Sequence, residues 1–408
     1  MMKFRKFAAT SQGLKYFEKG WACQDSSDTL DFKNVQVIAV ADGHGSADCF
    51  RSEFGSKIAI EVLFEQVKIF CRDLTTFERF SDTGIRKFKF DFVNEWRNAV
   101  KKDWDERLNG GNLGENEIRY KSVSDKYKAR YASENPKIVE EYLYNAYGTT
   151  LICAISIGAQ ILILQIGDGT CVVLQKNGEF KTPVPPSEEN FLNVTTSLCE
   201  NKAELKIRHA ILNCEENSQT LPVAIFLSTD GLDDCFAYYK NEEHLYKFYA
   251  SVIIENILEF GYDATETEIK EQLLEGMTKK GSQDDISFAY FMTKNLETLE
   301  ETYKKIDAEY KSSEKVQEEK IVEEKITEEK TTEEKVEKPS VPAPTISAKE
   351  EPFEFMPNVK DANIVVPSEE KTILAETFQP AANNRILKAS EITLSSTPIK
   401  IPGSAKNE

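Results

Sequence analysis

The feature of this sequence that most constrains its fold is a set of short apolar runs, each next to an aspartate. Residues 35–41, 160–166 and 223–228 each lead into a turn that contains Asp-Gly, and Asp284 and Asp285 directly precede a fourth run. Apolar runs of about four to eight residues bounded by turn residues are typical of buried strands. The chain therefore has to fold around β-sheets, with carboxylates held at strand ends.

Other segments carry helical or turn signals. Residues 47–64 follow the first Asp-Gly turn with apolar side chains at helical spacing, and residues 91–104 place Trp96 and Trp104 on one helical face. Residues 147–174 contain three apolar runs separated by tight turns. That pattern predicts an antiparallel meander of three strands.

Each Asp-Gly pair, taken alone, has two interpretations. Asp and Gly dominate turns for backbone reasons, so a single pair is more often a plain turn than a site. The alternative is that carboxylates from several strand ends converge and bind a hard divalent cation, which prefers oxygen ligands. Only the joint pattern of the pairs separates these interpretations.

The joint pattern is a series of six motifs in a fixed order. The motifs are C-Q-D at residues 23–25, D-G-H-G at 42–45, G-T-T at 148–150, G-D-G at 167–169, T-D-G-L at 229–232 and D-D-I-S at 284–287. This series resembles that of the metal-dependent protein serine/threonine phosphatases of type 2C, and the C-Q-D opening resembles their bacterial-type branch. The resemblance covers roughly residues 10–293.

The resemblance implies a fold, an activity and a ligand set. The fold is α+β, an αββα sandwich of two antiparallel sheets flanked by helices. The activity is hydrolysis of phosphoserine and phosphothreonine monoesters in proteins by a water that bridges two Mn²⁺ or Mg²⁺ ions. Carried over by motif, the metal residues are Asp42 bridging both ions, the Gly43 carbonyl on the second, Asp230 and Asp284 on the first, and Asp25 through a metal-bound water or directly.

The remaining roles follow from the same resemblance. His44 matches the histidine that protonates the leaving serine or threonine oxygen, a role suited to a near-neutral pKa. Asp168, in the G-D-G turn, is interpreted as a structural hydrogen-bonding residue and not as a ligand.

Two positions depart from the family pattern. Gln24 stands where most members have a glutamate ligand, and because its amide is neutral its place in the metal site stays open. Gly20 stands where the family has a phosphate-binding arginine; Lys19, with Lys15 nearby, is the candidate for the substrate phosphate, although neither lysine has a bidentate fork. The alternative function is therefore a catalytically weak or inactive phosphatase-like module that recruits partners through its tail.

The sequence divides near residue 295. Residues 1–295 are predicted to form the phosphatase-like domain, residues 296–310 a closing helix, residues 311–338 a Glu/Lys repeat spacer and residues 339–408 a disordered tail with short binding motifs. The implied partners are a phosphorylated protein substrate, a kinase that the enzyme opposes and proteins that bind the tail.

Composition excludes other classes. The chain has 51 Lys and Arg against 69 Asp and Glu, a net charge of −18, which argues against nonspecific nucleic-acid binding. Its apolar runs are far shorter than the roughly 20 residues of a membrane helix, and no signal-peptide core of about 7–15 apolar residues is readable, so a cytoplasmic location without membrane partners is expected. Eight scattered cysteines without a C-x-x-C pair predict reduced thiols.

Overall fold

The computed structural model describes residues 3–73, 79–108, 118–184, 195–308 and 310. The described residues up to Asp307 belong to one compact unit. The predicted spacer at 311–338 and tail at 339–408 lie outside the described residues. Among the residues that are described, no helix has both the length and the apolarity needed to cross a bilayer.

In the described part of the chain, ten strands form two five-stranded sheets in which all strand pairs are antiparallel. The first sheet has the order β1-β10-β9-β6-β7 and the second β2-β3-β4-β5-β8. Together with the flanking helices, these sheets confirm the predicted α+β sandwich. The strands are β1 (Phe4–Ser11), β2 (Ser26–Phe32), β3 (Val35–Ala41), β4 (Leu151–Ile157), β5 (Gln160–Ile166), β6 (Thr170–Gln175), β7 (Phe180–Lys181), β8 (Arg208–Asn213), β9 (Pro222–Ser228) and β10 (Ile286–Thr293).

Helices occupy most of the intervening segments. They are α1 (Leu14–Phe17), α2 (Ser52–Asp73), α3 (Asp82–Leu108), α4 (Asp125–Tyr131), α5 (Pro136–Ala146), α6 (Ala203–Lys206), α7 (Asp230–Asp233), α8 (Asn241–Phe248), α9 (Glu255–Phe260), α10 (Tyr262–Glu268), α11 (Leu274–Lys280) and α12 (residues 296–308). A 3₁₀ segment, Ile118–Ser122, precedes α4, and π-helical segments at Tyr249–Ile254 and Ile269–Leu273 join α8 to α9 and α10 to α11.

The apolar core has two layers because alternate side chains of a strand point to opposite faces. On β3, Ile38 and Val40 pack between the two sheets, whereas Val37 and Ala39 pack toward helices α2 and α3. All four side chains are fully buried, which explains why β3 reads as a continuous apolar run. The face of the first sheet that points away from the second sheet is also covered. There Phe226 of β9 stacks on Tyr249, with ring centroids 4.2 Å apart.

Two expectations about elements are corrected. The three-stranded meander over residues 147–174 is wrong at its third strand, because β6 pairs with β9 and β7 and not with β5. The intervening Gly167 has φ +108°, and the turn it makes carries the chain from one sheet to the other. The helix expected at 47–64 begins later and extends further, at Ser52–Asp73.

The predicted thiol state agrees with the structure. All eight cysteines lie within the described residues, and all eight are free. Cys153, Cys171, Cys214 and Cys235 are buried, and the other four are half-buried.

Candidate metal centre

Three aspartates from different strand ends converge at one end of the sandwich. Asp42 follows β3, Asp168 lies in the turn between β5 and β6, and Asp230 opens α7 just after β9. One carboxylate oxygen from each lies within 4.8 Å of the others. Because carboxylate oxygens are the preferred ligands of Mg²⁺ and Mn²⁺, this is a donor set of the right chemistry for a divalent ion.

Asp25 and Asp284 complete the acidic cluster. Asp284 precedes β10, and its carboxylate interacts electrostatically with those of Asp42 and Asp230. Asp25 is buried and accepts a hydrogen bond from Thr229 Oγ1 at 2.8 Å. The negative charge of the Asp25 carboxylate raises the pKa of Asp42. Of the four aspartates that the sequence analysis assigned to metal, Asp42 and Asp230 therefore lie in the 4.8 Å group with Asp168, whereas Asp25 and Asp284 interact with that group electrostatically.

The aspartates open onto a cavity of about 520 Å³. Asp25 and Gln24 do not line this cavity but lie buried beside it. The lining residues are Lys15, Tyr16, Lys19, Asp42, His44, Gly45, Asp168, Thr195, Asp230 and Asp284.

Burial and mutual repulsion dominate the electrostatics of the cluster. Burial raises the pKa of Asp25, Asp42 and Asp230 well above the usual aspartate range, and the neighbouring carboxylates raise it further. Closely spaced carboxylates therefore need a counter-charge to be ionised at neutral pH. A divalent cation bound between these side chains would supply that charge.

The buried amide of Gln24 fits the same interpretation. Its Nε2 donates to the Ala22 carbonyl at 2.8 Å, which fixes the orientation of the amide. Its Oε1 is buried and has no hydrogen-bond partner among the described residues. A buried oxygen without a partner costs free energy unless a ligand satisfies it, so Gln24 retains an oxygen that a hydrated ion would use.

The G-T-T motif fixes the turn that carries Asp42. Thr150 N donates to the Asp42 carbonyl at 2.8 Å, and Thr149 Oγ1 donates to the same carbonyl at 2.8 Å. In return Asp42 N donates to Thr150 Oγ1 at 3.0 Å. These bonds hold the carboxylate of Asp42 at a defined position at the end of β3.

Gly43 sits where the chain passes close to two other backbone segments. A Cβ added there would overlap the carbonyl of Gln24 and lie 2.7 Å from the Ser52 carbonyl oxygen. The first motif and the D-G-H-G turn therefore pack backbone to backbone, and only glycine permits that approach.

His44 lines the cavity from a fixed backbone. Its N–H donates to the Gly148 carbonyl at 3.0 Å, and its carbonyl accepts from Ser52 Oγ at 2.9 Å and Arg119 Nη2 at 3.2 Å. Burial lowers the pKa of the imidazole, while Asp168 and Glu200 oppose that shift. Its ring packs against Gly148, where an added Cβ would overlap Cδ2.

The two candidate phosphate lysines lie on the rim of the cavity. Lys19 is exposed, and its ammonium lies 4.8 Å from the centroid of the Trp21 ring. The Lys15 ammonium contacts Asp284 Oδ2. No arginine is among the described residues that line this cavity.

Sequence reasoning missed four residues at the site. Asp168 was interpreted as a structural hydrogen-bonding residue, and its Oδ2 does accept a hydrogen bond from Thr195 Oγ1, but its carboxylate also joins those of Asp42 and Asp230. Tyr16 is buried against the acidic cluster, and Arg119 Nη1 donates to Ser52 Oγ at 2.8 Å under the D-G-H-G turn. Asp285 accepts the backbone N–H groups of Gly13 and Gln24, each at 2.6 Å. Only Asp168 and Asp285 carried a signal, since both lie inside the motifs.

Comparison with protein families gives one match. The family model described as "Protein phosphatase 2C" matches residues 12–273 of this chain. A comparison with curated proteins finds no match.

Solved structures include several similar chains. The serine/threonine phosphatase PstP/Ppp of Mycobacterium tuberculosis is 14% identical over 71% of this chain and 99% of its own, with a TM-score of 0.41. The serine/threonine phosphatase of S. agalactiae is 16% identical over 72% and 100%, with a TM-score of 0.42. The catalytic domain of PstP in complex with two manganese ions is 14% identical over 72% and 99%, with a TM-score of 0.41.

Proposed function

Since the chain belongs to the protein phosphatase 2C family, we propose that it is a metal-dependent protein phosphatase that hydrolyses phosphoserine and phosphothreonine monoesters in proteins. The observation that carries this proposal is the convergence of Asp42, Asp168 and Asp230, whose oxygens lie within 4.8 Å of one another at the mouth of a cavity. The proposed setting is the cytoplasm, where the enzyme opposes a protein kinase. Proteins that bind the C-terminal tail are proposed as further partners.

The acidic cluster holds two divalent ions, Mn²⁺ or Mg²⁺, in this proposal. Asp42 would contribute to both ion positions, Asp230 and Asp284 to one, and the Gly43 carbonyl and Asp25 to the other. Asp168 joins this set because of its position beside Asp42 and Asp230. When bound, such ions lower the pKa of a shared water and neutralise the phosphoryl oxygens.

Gln24 gives the second metal position a lower affinity for its ion than a glutamate would. Its amide oxygen offers no negative charge, so it lowers the affinity for the second ion relative to a carboxylate. The buried orientation of its Oε1 still leaves an acceptor for a water on that ion.

His44 is placed to give a proton to the leaving serine or threonine oxygen. Its backbone is held on both sides by Gly148 and Ser52, so the imidazole faces the cavity with little freedom. Burial lowers the pKa of the imidazole, and Asp168 and Glu200 reduce that shift without reversing it. A proton donor in this position contributes about 10²–10⁴-fold to the rate of such reactions.

Lys19 is the proposed cation for the substrate phosphate. Its ammonium lies on the cavity rim and packs on the Trp21 ring, which restricts where it points. An ammonium binds phosphate as a point charge and not as a fork, so phosphate binding should be weaker than with an arginine. If Lys19→Ala leaves both kcat and KM unchanged, Lys19 has no such role.

The experiment is hydrolysis of p-nitrophenyl phosphate and of a phosphothreonine peptide by the full chain. Reactions contain Mn²⁺, Mg²⁺ or EDTA, with Asp42→Asn and Asp230→Asn as controls. We expect activity that requires metal and is lost in both variants. An active protein in EDTA, or full activity in Asp42→Asn, would contradict the proposal.

A non-catalytic phosphatase-like module is the second candidate. Two observations favour it: the neutral Gln24 in the ligand set and the lack of a guanidinium among the described residues that line the cavity. A folded wild-type protein that binds Mn²⁺ and hydrolyses neither substrate would select this candidate. Recovery of turnover in Gln24→Glu would then identify the cause.

A further inference from the structure

Lys15 is bound to one of the carboxylates that the proposed function assigns to metal. Its ammonium contacts Asp284 Oδ2, while Asp284 Oδ1 accepts the backbone N–H of Asp285 at 2.9 Å. Each carboxylate oxygen of Asp284 therefore already has a partner within the protein. The two side chains are about equally accessible, at 37% and 26% exposure, so the pair borders the cavity and is not sealed in the core.

The position of Lys15 is set by the backbone. Its N–H donates to the Gln283 carbonyl at 3.2 Å, and the preceding Gly13 N–H donates to Asp285 Oδ1 at 2.6 Å. Helix α1 is thus fixed to the loop that carries Asp284. The ammonium also lies 4.7 Å from the centroid of the Tyr16 ring, and its charge opposes the rise in the pKa of a second carboxylate, Asp234.

An ammonium and a dication on one carboxylate repel each other. A divalent ion of this type binds carboxylate oxygen at about 2.0–2.1 Å, and an ammonium donates to it at about 2.8 Å, so the two cations would lie only some 5 Å apart. At that separation, near a protein surface, repulsion is large compared with thermal energy. Metal binding at Asp284 therefore has to displace or turn away the Lys15 ammonium.

We propose that Lys15 competes with the metal ion for Asp284. The inference rests on the proposed function for the identity of the ligand but adds a residue that works against metal loading. Because of this competition, the metal site fills only at a higher free metal concentration than the carboxylates alone would require.

The test is isothermal titration of the full chain with MnCl₂ in phosphate-free buffer. Lys15→Met and Lys15→Gln remove the charge, and Lys15→Arg keeps it. Lys19→Met is the matched control, because it removes a charge from the same rim at a side chain that packs on Trp21. Two uncharged variants are used so that the result does not depend on the folding of one, and thermal unfolding in EDTA verifies each.

We expect Lys15→Met and Lys15→Gln to bind Mn²⁺ about tenfold more tightly than wild type, as the loss of one nearby positive charge predicts. Lys15→Arg and Lys19→Met should stay within about twofold of wild type. Wild type and Lys15→Met with equal Kd, or weaker binding by Lys15→Met, would overturn this inference and leave the metal centre standing. If neither wild type nor the uncharged variants bind Mn²⁺, the proposed metal centre fails first and this inference fails with it.

Discussion

Gly43 is a residue of the site that leaves no room for a side chain. Gly43→Ala would place a methyl group against the Gln24 and Ser52 carbonyls, both of them backbone atoms that cannot swing away. We expect a loss of about 1–3 kcal/mol in the free energy of unfolding and weaker Mn²⁺ binding. Urea denaturation and Mn²⁺ titration measure the two effects.

The control for that substitution is Gly158→Ala. Gly158 has φ +65° and no atom within 4 Å of an added Cβ, so only its backbone conformation is penalised. It should lose stability without any change in Mn²⁺ affinity. Equal Mn²⁺ affinities in Gly43→Ala and wild type would show that the turn does not position the ligands.

His44 should affect turnover and not metal affinity. His44→Gln keeps a polar side chain on a backbone that Gly148, Ser52 and Arg119 already hold. We expect kcat for a phosphothreonine peptide to fall about 10²-fold or more, because the leaving oxygen loses its proton donor. The Kd for Mn²⁺, measured by titration, should be unchanged; an unchanged kcat would remove His44 from the mechanism.

At the scale of single residues, the sequence predicts site residues only where a motif contains them. The motif series predicts that Asp42, Asp230 and Asp284 meet, and the structure places them around one cavity. Tyr16 and Arg119 lie outside every motif, so nothing in the sequence indicates that the former borders the acidic cluster or that the latter supports the His44 turn. Their positions depend on packing between distant segments.

Helices α2 and α3 are joined by a buried charged network. Arg51 is fully buried at the start of α2, and it contacts Asp103 of α3 at 2.5 Å and Tyr147 Oη at 2.7 Å. Asp103→Ala removes the carboxylate that contacts this buried guanidinium. We expect the free energy of unfolding to fall by about 3–5 kcal/mol, as measured by urea denaturation.

The matched control lies two residues away on the same helix. Asp105 forms an exposed i, i+4 pair with Lys101 at 3.5 Å. Asp105→Ala should change stability by no more than about 0.5 kcal/mol. Similar losses in both variants would mean that the buried network is not what joins the two helices.

Asp233 of α7 should give stability a distinctive pH dependence. Burial raises its pKa to about 7, although Thr170 and Ser228 donate to the carboxylate. In the unfolded chain an aspartate has a pKa of about 3.9. Between these values the folded state holds a proton that the unfolded state has released.

The free energy of unfolding therefore falls as pH rises from about 4 to 7, by at most about 1.4 kcal/mol per pH unit from this group. Asp233→Asn removes that contribution, so the stability of the variant relative to wild type should increase with pH over this window. Urea denaturation at several pH values in EDTA measures the difference. A difference that does not change with pH would contradict the raised pKa.

Elements were predictable where periodicity is local. Residues 91–104 lie within α3, Asp82–Leu108, because apolar residues at helical spacing form one face. The pairing of β6 was not predictable, since a tight turn after β5 is equally compatible with a hairpin and with a crossing between sheets. Pairing depends on β9, which is more than 45 residues away in sequence.

For the whole molecule, metal binding should be linked to folding. A ligand that binds only the folded state stabilises it by about 2.7 kcal/mol at 100 times its Kd. We therefore expect saturating Mn²⁺ to raise the Tm above its value in EDTA. The same addition should have little effect on Asp42→Asn; an equal shift in that variant would place the bound metal elsewhere.

The overall architecture was predictable through the motif series and not through periodicity alone. Six motifs in fixed order identify a two-sheet sandwich, and the structure has one. Apolar runs alone would have indicated strands without assigning them to sheets. The domain limits at 295 and 310 stay predictions, although residues 296–308 are helical.

The central claim is that this acidic cluster is a metal centre. Anomalous diffraction from crystals of the full chain grown with MnCl₂ tests it most directly. The account predicts two manganese peaks that share Asp42, one of them also bound by Asp230 and Asp284. A manganese-saturated protein whose anomalous peaks lie away from Asp42 would contradict it.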